Sequence, residues 1–119
     1  LSVETVGAFP AELADLVQPA PRVSVAELDR VRAENAVTVI DIRNPGERDV
    51  GTIPGALQIP LAELRTQLAN VPSDKPIVVH CAGGWRSSVA ASLMRADGFG
   101  HVSDLVGGYN AWAQAHAAA

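Results

Sequence analysis

Ile77-Val78-Val79-His80-Cys81-Ala82-Gly83-Gly84-Trp85-Arg86-Ser87 is the stretch on which the fold turns. Three β-branched residues in a row, closed by His80, have the pattern of a strand covered on both faces. Two glycines break the run, and beyond them Ala90, Leu93 and Met94 recur at helical spacing as far as Gly98. Ser87 is placed to cap that helix. A buried strand that passes through a short glycine loop into a helix is the repeating unit of parallel α/β sheets.

Working upstream, Val37-Thr38-Val39-Ile40 repeats the buried-strand pattern, with Asp41 at its end. Ser24 and Glu27 have capping-box spacing and open a helix that should bury Val25, Leu28 and Val31. Residues 43–55, with Asn44-Pro45-Gly46 and Pro54-Gly55, read as a loop of tight turns. Residues 56–59 suit a short strand, and Leu61, Leu64 and Leu68 a helix; residues 72–76 connect to the central strand. Downstream, residues 101–106 suit a third strand, Gly107-Gly108 a turn and residues 109–118 a last helix. The alternation predicts an α/β domain with a mainly parallel central sheet flanked by helices on both faces. Residues 1–22 differ in character: Pro10, Pro19 and Pro21 interrupt them and only residues 11–17 could form a short helix. They read as a linker arm, and residues 23–119 as the domain.

Composition narrows the function classes. A chain of 119 residues has room for one core. A net charge of −4, with the nine Lys and Arg scattered, offers no basic stripe for nucleic acid, and no apolar run is long enough to cross a bilayer. The single cysteine excludes an internal disulfide, and the three dispersed histidines have no zinc-ligand spacing. A lone functional thiol fits a reducing, cytoplasmic setting, and the first residues show no signal-peptide pattern. The chain opens Leu1-Ser2-Val3-Glu4 without an initiator Met, so a fragment of a longer protein, or a processed one, is expected.

The chemistry concentrates at Cys81. Ligands of such sheets bind outside the carboxyl ends of the strands, and Cys81 falls at that end of a central one. A helix N-terminus just ahead favours a thiolate, while Gly83 and Gly84 let the amides of Ala82, Gly83, Gly84 and Trp85 curl into an anion nest. Arg86 adds a planar fork suited to sulfonate or phosphate oxygens. A lone cysteine is commonly just a small buried hydrophobe, but strand end, glycines, arginine and helix start together favour a nucleophile. Around it, Asp41 and Arg43 either touch substrate or, as charges near a core, form an ion-pair network beneath the loop. Trp85 is a candidate pocket wall, and Ser87 either bonds a bound sulfur species or simply caps the helix. Trp112, Met94 and Phe99 are expected in the core, His101 and His116 in solvent.

Three motifs resemble one family. Asp41-Ile42-Arg43 followed by Glu47, Gly51, Ile53, Pro54, Gly55 and Ala56 is similar to the first signature of rhodanese domains. The stretch from His80 to Ser88 resembles their active-site loop, and Gly107-Gly108-Tyr109 with Trp112 their closing element. The likeness covers residues 23–116, with Thr52 and Arg48 departing from the usual histidine and aromatic. Within the family, Trp85-Arg86-Ser87-Ser88-Val89-Ala90-Ala91-Ser92-Leu93 is similar to rhodanese domains appended to metallo-β-lactamase-fold proteins, including persulfide dioxygenase fusions. The resemblance implies sulfur transfer without metal or organic cofactor, from thiosulfate or glutathione persulfide to a thiol, sulfite or cyanide, through a Cys81 persulfide. Four residues between Cys81 and Arg86 match the sulfurtransferase loop. The wider loop of the related dual-specificity phosphatases has five, and a non-catalytic module of this fold would be expected to lack the cysteine.

Overall fold

The two buried-strand patterns meet at the middle of the sheet. The computed structural model describes residues 21–117. Strand β4 (Ile77–His80) lies parallel to β2 (Thr38–Asp41), with Thr38 opposite Ile77 and Asp41 opposite His80. On its other side β4 pairs with β5 (Val102–Leu105), and two short strands close the edges: β1 (Arg22–Val23) on β5 and β3 (Leu57–Gln58) on β2. The order is β1-β5-β4-β2-β3, parallel throughout. Edges two residues long leave little unpaired backbone to recruit another chain.

Side-chain alternation then assigns the helices. Val39, Val78 and Leu105 point to one face, which Leu28 of α1 (Val25–Ala33) and Tyr109 of α4 (Gly108–Ala117) cover. Ile40, Ile77, Val79 and Val102 point to the other, under Leu64 of α2 (Leu61–Gln67) and Ala90, Ala91 and Met94 of α3 (Trp85–Ala96). The α/β architecture with helices on both faces is as the sequence predicts. Ser24 and Glu27 form the capping box of α1: each side chain accepts from the other residue's amide.

Two local readings are corrected. Arg22, counted with the arm, is a sheet residue opposite Asp104; a two-residue strand leaves no periodicity to detect. The rest of the arm, including the suggested helix at 11–17, lies outside the described residues. The loop at 43–55 contains a 3₁₀ helix, Pro45–Val50, in which Glu47 accepts from the Asn44 amide at 3.0 Å. His116 is exposed but partnered: it stacks on the half-buried Trp112 at 4.1 Å and lies 2.9 Å from Asp29. Met94 is buried, Phe99 packs on the core and His101 is exposed. No helix among the described residues is long and apolar enough to cross a membrane.

Candidate active site

The strand's alternation decides which way the thiol faces. His80 turns toward α1 and α4, and Cys81 toward α2 and α3. Just before α3, Gly84 adopts φ +112°, a conformation an L side chain rarely takes, and its amide then donates to Cys81 Sγ at 3.0 Å. Gly83 has no such backbone and open space beside it, so of the two loop glycines Gly84 is the one the geometry requires.

The carbonyls are dealt with from behind. Cys81 O accepts from the Tyr109 amide at 2.7 Å, and Ala82 O from the Asn110 amide at 3.0 Å. With both carbonyls held by the first turn of α4, the loop amides remain free to face the sulfur. The close approach depends on Gly108, where a Cβ would lie 2.5 Å from Cys81 O and 2.6 Å from Ala82 O. The Gly-Gly turn read from sequence is therefore also the seat of the loop.

Burial alone would oppose ionisation of Cys81, which is 1% exposed. Against it act the amides of Ser87, Gly84 and Arg86 and the Ser87 hydroxyl, and the balance holds the thiol below its ordinary value. Ser87 does this from the first turn of α3 and not as its cap, because the cap is Gly84 and the helix begins at Trp85, three residues earlier than a Ser87 cap implies. Its Oγ donates to Gly84 O at 3.0 Å and lies 3.7 Å from Cys81 Sγ and 3.4 Å from Asp104.

Two arginine–carboxylate pairs border the loop from the end of β2 and the segment that follows it. Arg86 grips Glu47 with both terminal nitrogens at 2.7 Å. Its guanidinium lowers Glu47 to about 2, while Glu47 first, and the Cys81 thiolate after it, raise Arg86. Arg43 and Asp41 are both fully buried, joined through Nε at 3.0 Å and a terminal nitrogen at 2.7 Å. Arg43 also donates to Glu47 O at 3.2 Å and Gly51 O at 2.8 Å and stacks over Tyr109 at 4.2 Å. Asp41 and Arg43 are thus engaged with protein groups, as the network alternative expects, and they carry the segment that presents Glu47.

Trp85 opens α3 and is 75% exposed. His80 is buried, its Nδ1 3.3 Å from Cys81 O; burial lowers its pKa, and its ring faces away from the thiol. A cavity of about 370 Å³ among Lys75, Ile77, Phe99 and His101 opens at the amino ends of β4 and β5, far from the loop. Sequence reasoning had no functional place for Glu47, Asp104, Arg22 or Gly108. Glu47 stood in the first signature and Gly108 in the closing element, and those were the available signals; Arg22 and Asp104 meet only through the strand order.

A thiol at the carboxyl end of a central parallel strand, ringed by amides ahead of a helix, is an arrangement suited to covalent chemistry on cysteine. The chain belongs to the rhodanese-like domain family, whose model matches residues 24–115, and it is an enzyme of the rhodanese sulfurtransferase type. It is 38% identical over 78 residues to a sulfurtransferase of Allochromatium vinosum, covering 66% of this chain and 73% of that one. It is 33% identical to human thiosulfate:glutathione sulfurtransferase, covering 78% of this chain and 93% of the human protein. Among solved structures, reduced Bacillus anthracis CoADR-RHD superposes with a TM-score of 0.74 at 38% identity, covering 79% of this chain but 16% of that longer one.

Proposed function

We propose that the domain moves a sulfane sulfur from thiosulfate or a persulfide to a thiol, sulfite or cyanide through a persulfide on Cys81. The observation that carries this is the Gly84 amide 3.0 Å from Sγ in a loop whose carbonyls are tied away from the sulfur. The Cys81 thiolate attacks the outer sulfur of thiosulfate; the sulfur–sulfur bond breaks and its electron pair leaves with sulfite. An acceptor thiolate then attacks the outer sulfur of the persulfide, restoring the Cys81 thiolate and carrying the sulfur away. Because Cys81 is nearly sealed, only a slim terminal sulfur reaches it, and the persulfide extends the reactive atom about 2 Å toward solvent.

In this reading the loop from Ala82 to Trp85 binds the anion with its amides, Ser87 bonds the sulfur, and Arg86 exchanges Glu47 for substrate oxygens. Trp85 walls the mouth, and Asp41 and Arg43 support from below. With a single cysteine the chain cannot discharge a persulfide as an internal disulfide, so the acceptor comes from outside. Donor and acceptor share one loop, and ping-pong kinetics follow. A cytoplasmic setting, residues 23–119 as the domain behind an arm, with Arg22 joined to its edge strand, and a metallo-β-lactamase-fold partner in the parent chain belong to the same proposal; the last rests on the 85–93 stretch.

Intact-mass measurement after thiosulfate treatment tests it. One added sulfur atom is expected on the protein and none on Cys81→Ser, whose thiosulfate:cyanide activity should be lost with the fold kept. Turnover by the folded serine variant, or failure of both thiosulfate and glutathione persulfide to load Cys81, would remove the mechanism.

A further inference from the structure

Asp104 is a carboxylate where one is costly. It sits on β5 with a side chain 1% exposed, beside the amides and hydroxyl that serve the sulfur. Its two oxygens are held by Arg22, through Nε at 3.2 Å and a terminal nitrogen at 3.3 Å, across the β1–β5 register. One of the same oxygens lies 3.4 Å from Ser87 Oγ, which lies 3.7 Å from Cys81 Sγ. The Arg22 guanidinium also reaches over the loop, 3.5 Å from where a Cβ on Gly84 would stand. A residue of the edge strand therefore ends a polar chain whose other end is the nucleophile.

We propose that Arg22 is a positioning residue for Cys81: by neutralising Asp104 it keeps that carboxylate from claiming the Ser87 hydroxyl and from opposing a negative sulfur. This rests on Cys81 as the working nucleophile, whatever the sulfur donor. Ser87 has one hydroxyl proton. Gly84 O, Asp104 and an ionised Sγ all accept, so the occupant of that proton depends on how strongly each competitor draws it. With Arg22 bidentate on Asp104, the carboxylate's charge is met and its bond to Ser87 stays long. Without Arg22, an unpaired buried anion stands one hydroxyl away from the sulfur and competes for the same proton.

The other charged groups about Cys81 are already matched. Arg86 of α3 is paired with Glu47 of the 3₁₀ segment, and Arg43 with Asp41 beneath β2. His80 faces the opposite side of the sheet, α2 presents Leu64, and α4 contributes backbone amides to the carbonyls behind the loop. Arg22 and Asp104 are the pair whose balance passes to the sulfur through a single side chain.

The rate of iodoacetamide alkylation of the full chain against pH reads this directly, since Cys81 is the only thiol. Arg22→Gln should raise the inflection by about one unit, slowing alkylation about tenfold at pH below both inflections. Arg22→Lys should stay near the parent, Asp104→Asn should fall below it, and Arg22→Gln with Asp104→Asn should return toward it. A merely structural role would not reverse in sign between the two single variants. A folded Arg22→Gln with the parent's inflection, or a double variant that keeps the single variant's rise, would overturn the proposal. If Arg22→Gln fails to fold, Asp104→Asn decides alone, and an inflection at or above the parent's overturns it. Thiosulfate loading of the same samples separates the two readings: a parent that takes no sulfur defeats the transfer function, while the alkylation profiles still decide Arg22.

Discussion

The Asp41–Arg43 and Glu47–Arg86 pairs use the same chemistry at the same rim and differ in burial. The first is 0% and 1% exposed, the second 34% and 25%. A sealed pair cannot exchange partners: water is excluded, and removing one member strands a charge. A pair open to water has alternatives waiting, and its bidentate geometry is the one a sulfonate would borrow. In the proposed mechanism the fold therefore places a fixed post and an exchangeable clamp a few residues apart. Arg43 links them, since its donors hold the carbonyls of Glu47 and Gly51.

The largest expected effect comes from breaking the post. Arg43→Met should destabilise the domain by about 3–5 kcal/mol in denaturant unfolding, because Asp41 is left buried without its partner. Asp41 is held below its ordinary value: burial raises it, but the hydrogen bonds from Arg43 outweigh that. Its contribution is therefore present above the unfolded carboxylate value of about 3.9 and is lost as pH falls through the lower folded one. A loss below about 1 kcal/mol would mean the buried pair is no post.

Next comes the clamp. Arg86→Lys keeps the charge and gives up the fork, so kcat/KM for thiosulfate should fall about tenfold, a change of about 1.4 kcal/mol. Stability should change by less than about 1 kcal/mol, as for other exposed pairs. Kinetics and melting measured on one sample set check the split. Unchanged efficiency would leave the loop amides as the whole cradle; a stability loss like that of Arg43→Met would erase the distinction between the pairs.

What the sequence showed and what it hid follow the same divide between local and remote. The strand, loop and helix from Ile77 to Ala96 were legible because β-branched runs, glycines and helical spacing are local signals. Asp41 and Arg43 are two residues apart, and their network was readable for the same reason. Glu47 and Arg86 lie 39 residues apart and meet only when β2 and β4 pair, while Arg22 and Asp104 lie 82 apart and need the complete strand order. Of the two roles open to Ser87, capping falls away because a glycine in a left-handed conformation starts the helix earlier, and no propensity records that choice.

The smallest expected effect is the most discriminating. Glu47→Gln removes the charge that holds Arg86 and leaves one amide oxygen to bond it. If the pair is a clamp, thiosulfate no longer has to displace an anion, and KM should hold or fall about two- to threefold. The stability difference from the parent should stay under about 1 kcal/mol. Its pH dependence has a definite sign: Glu47 is lowered to about 2 in the fold, so its contribution is complete above about 4.5. It fades as pH drops toward 2, and parent and variant should converge there. Across the range where a thiolate works, Glu47 is ionised throughout, so no acid limb of the activity profile should move in the variant. A tenfold rise in KM would mean that Glu47 aims Arg86 and does not merely hold its place. Both pairs would then be fixed, and the loop would offer substrate no arginine that is free to turn.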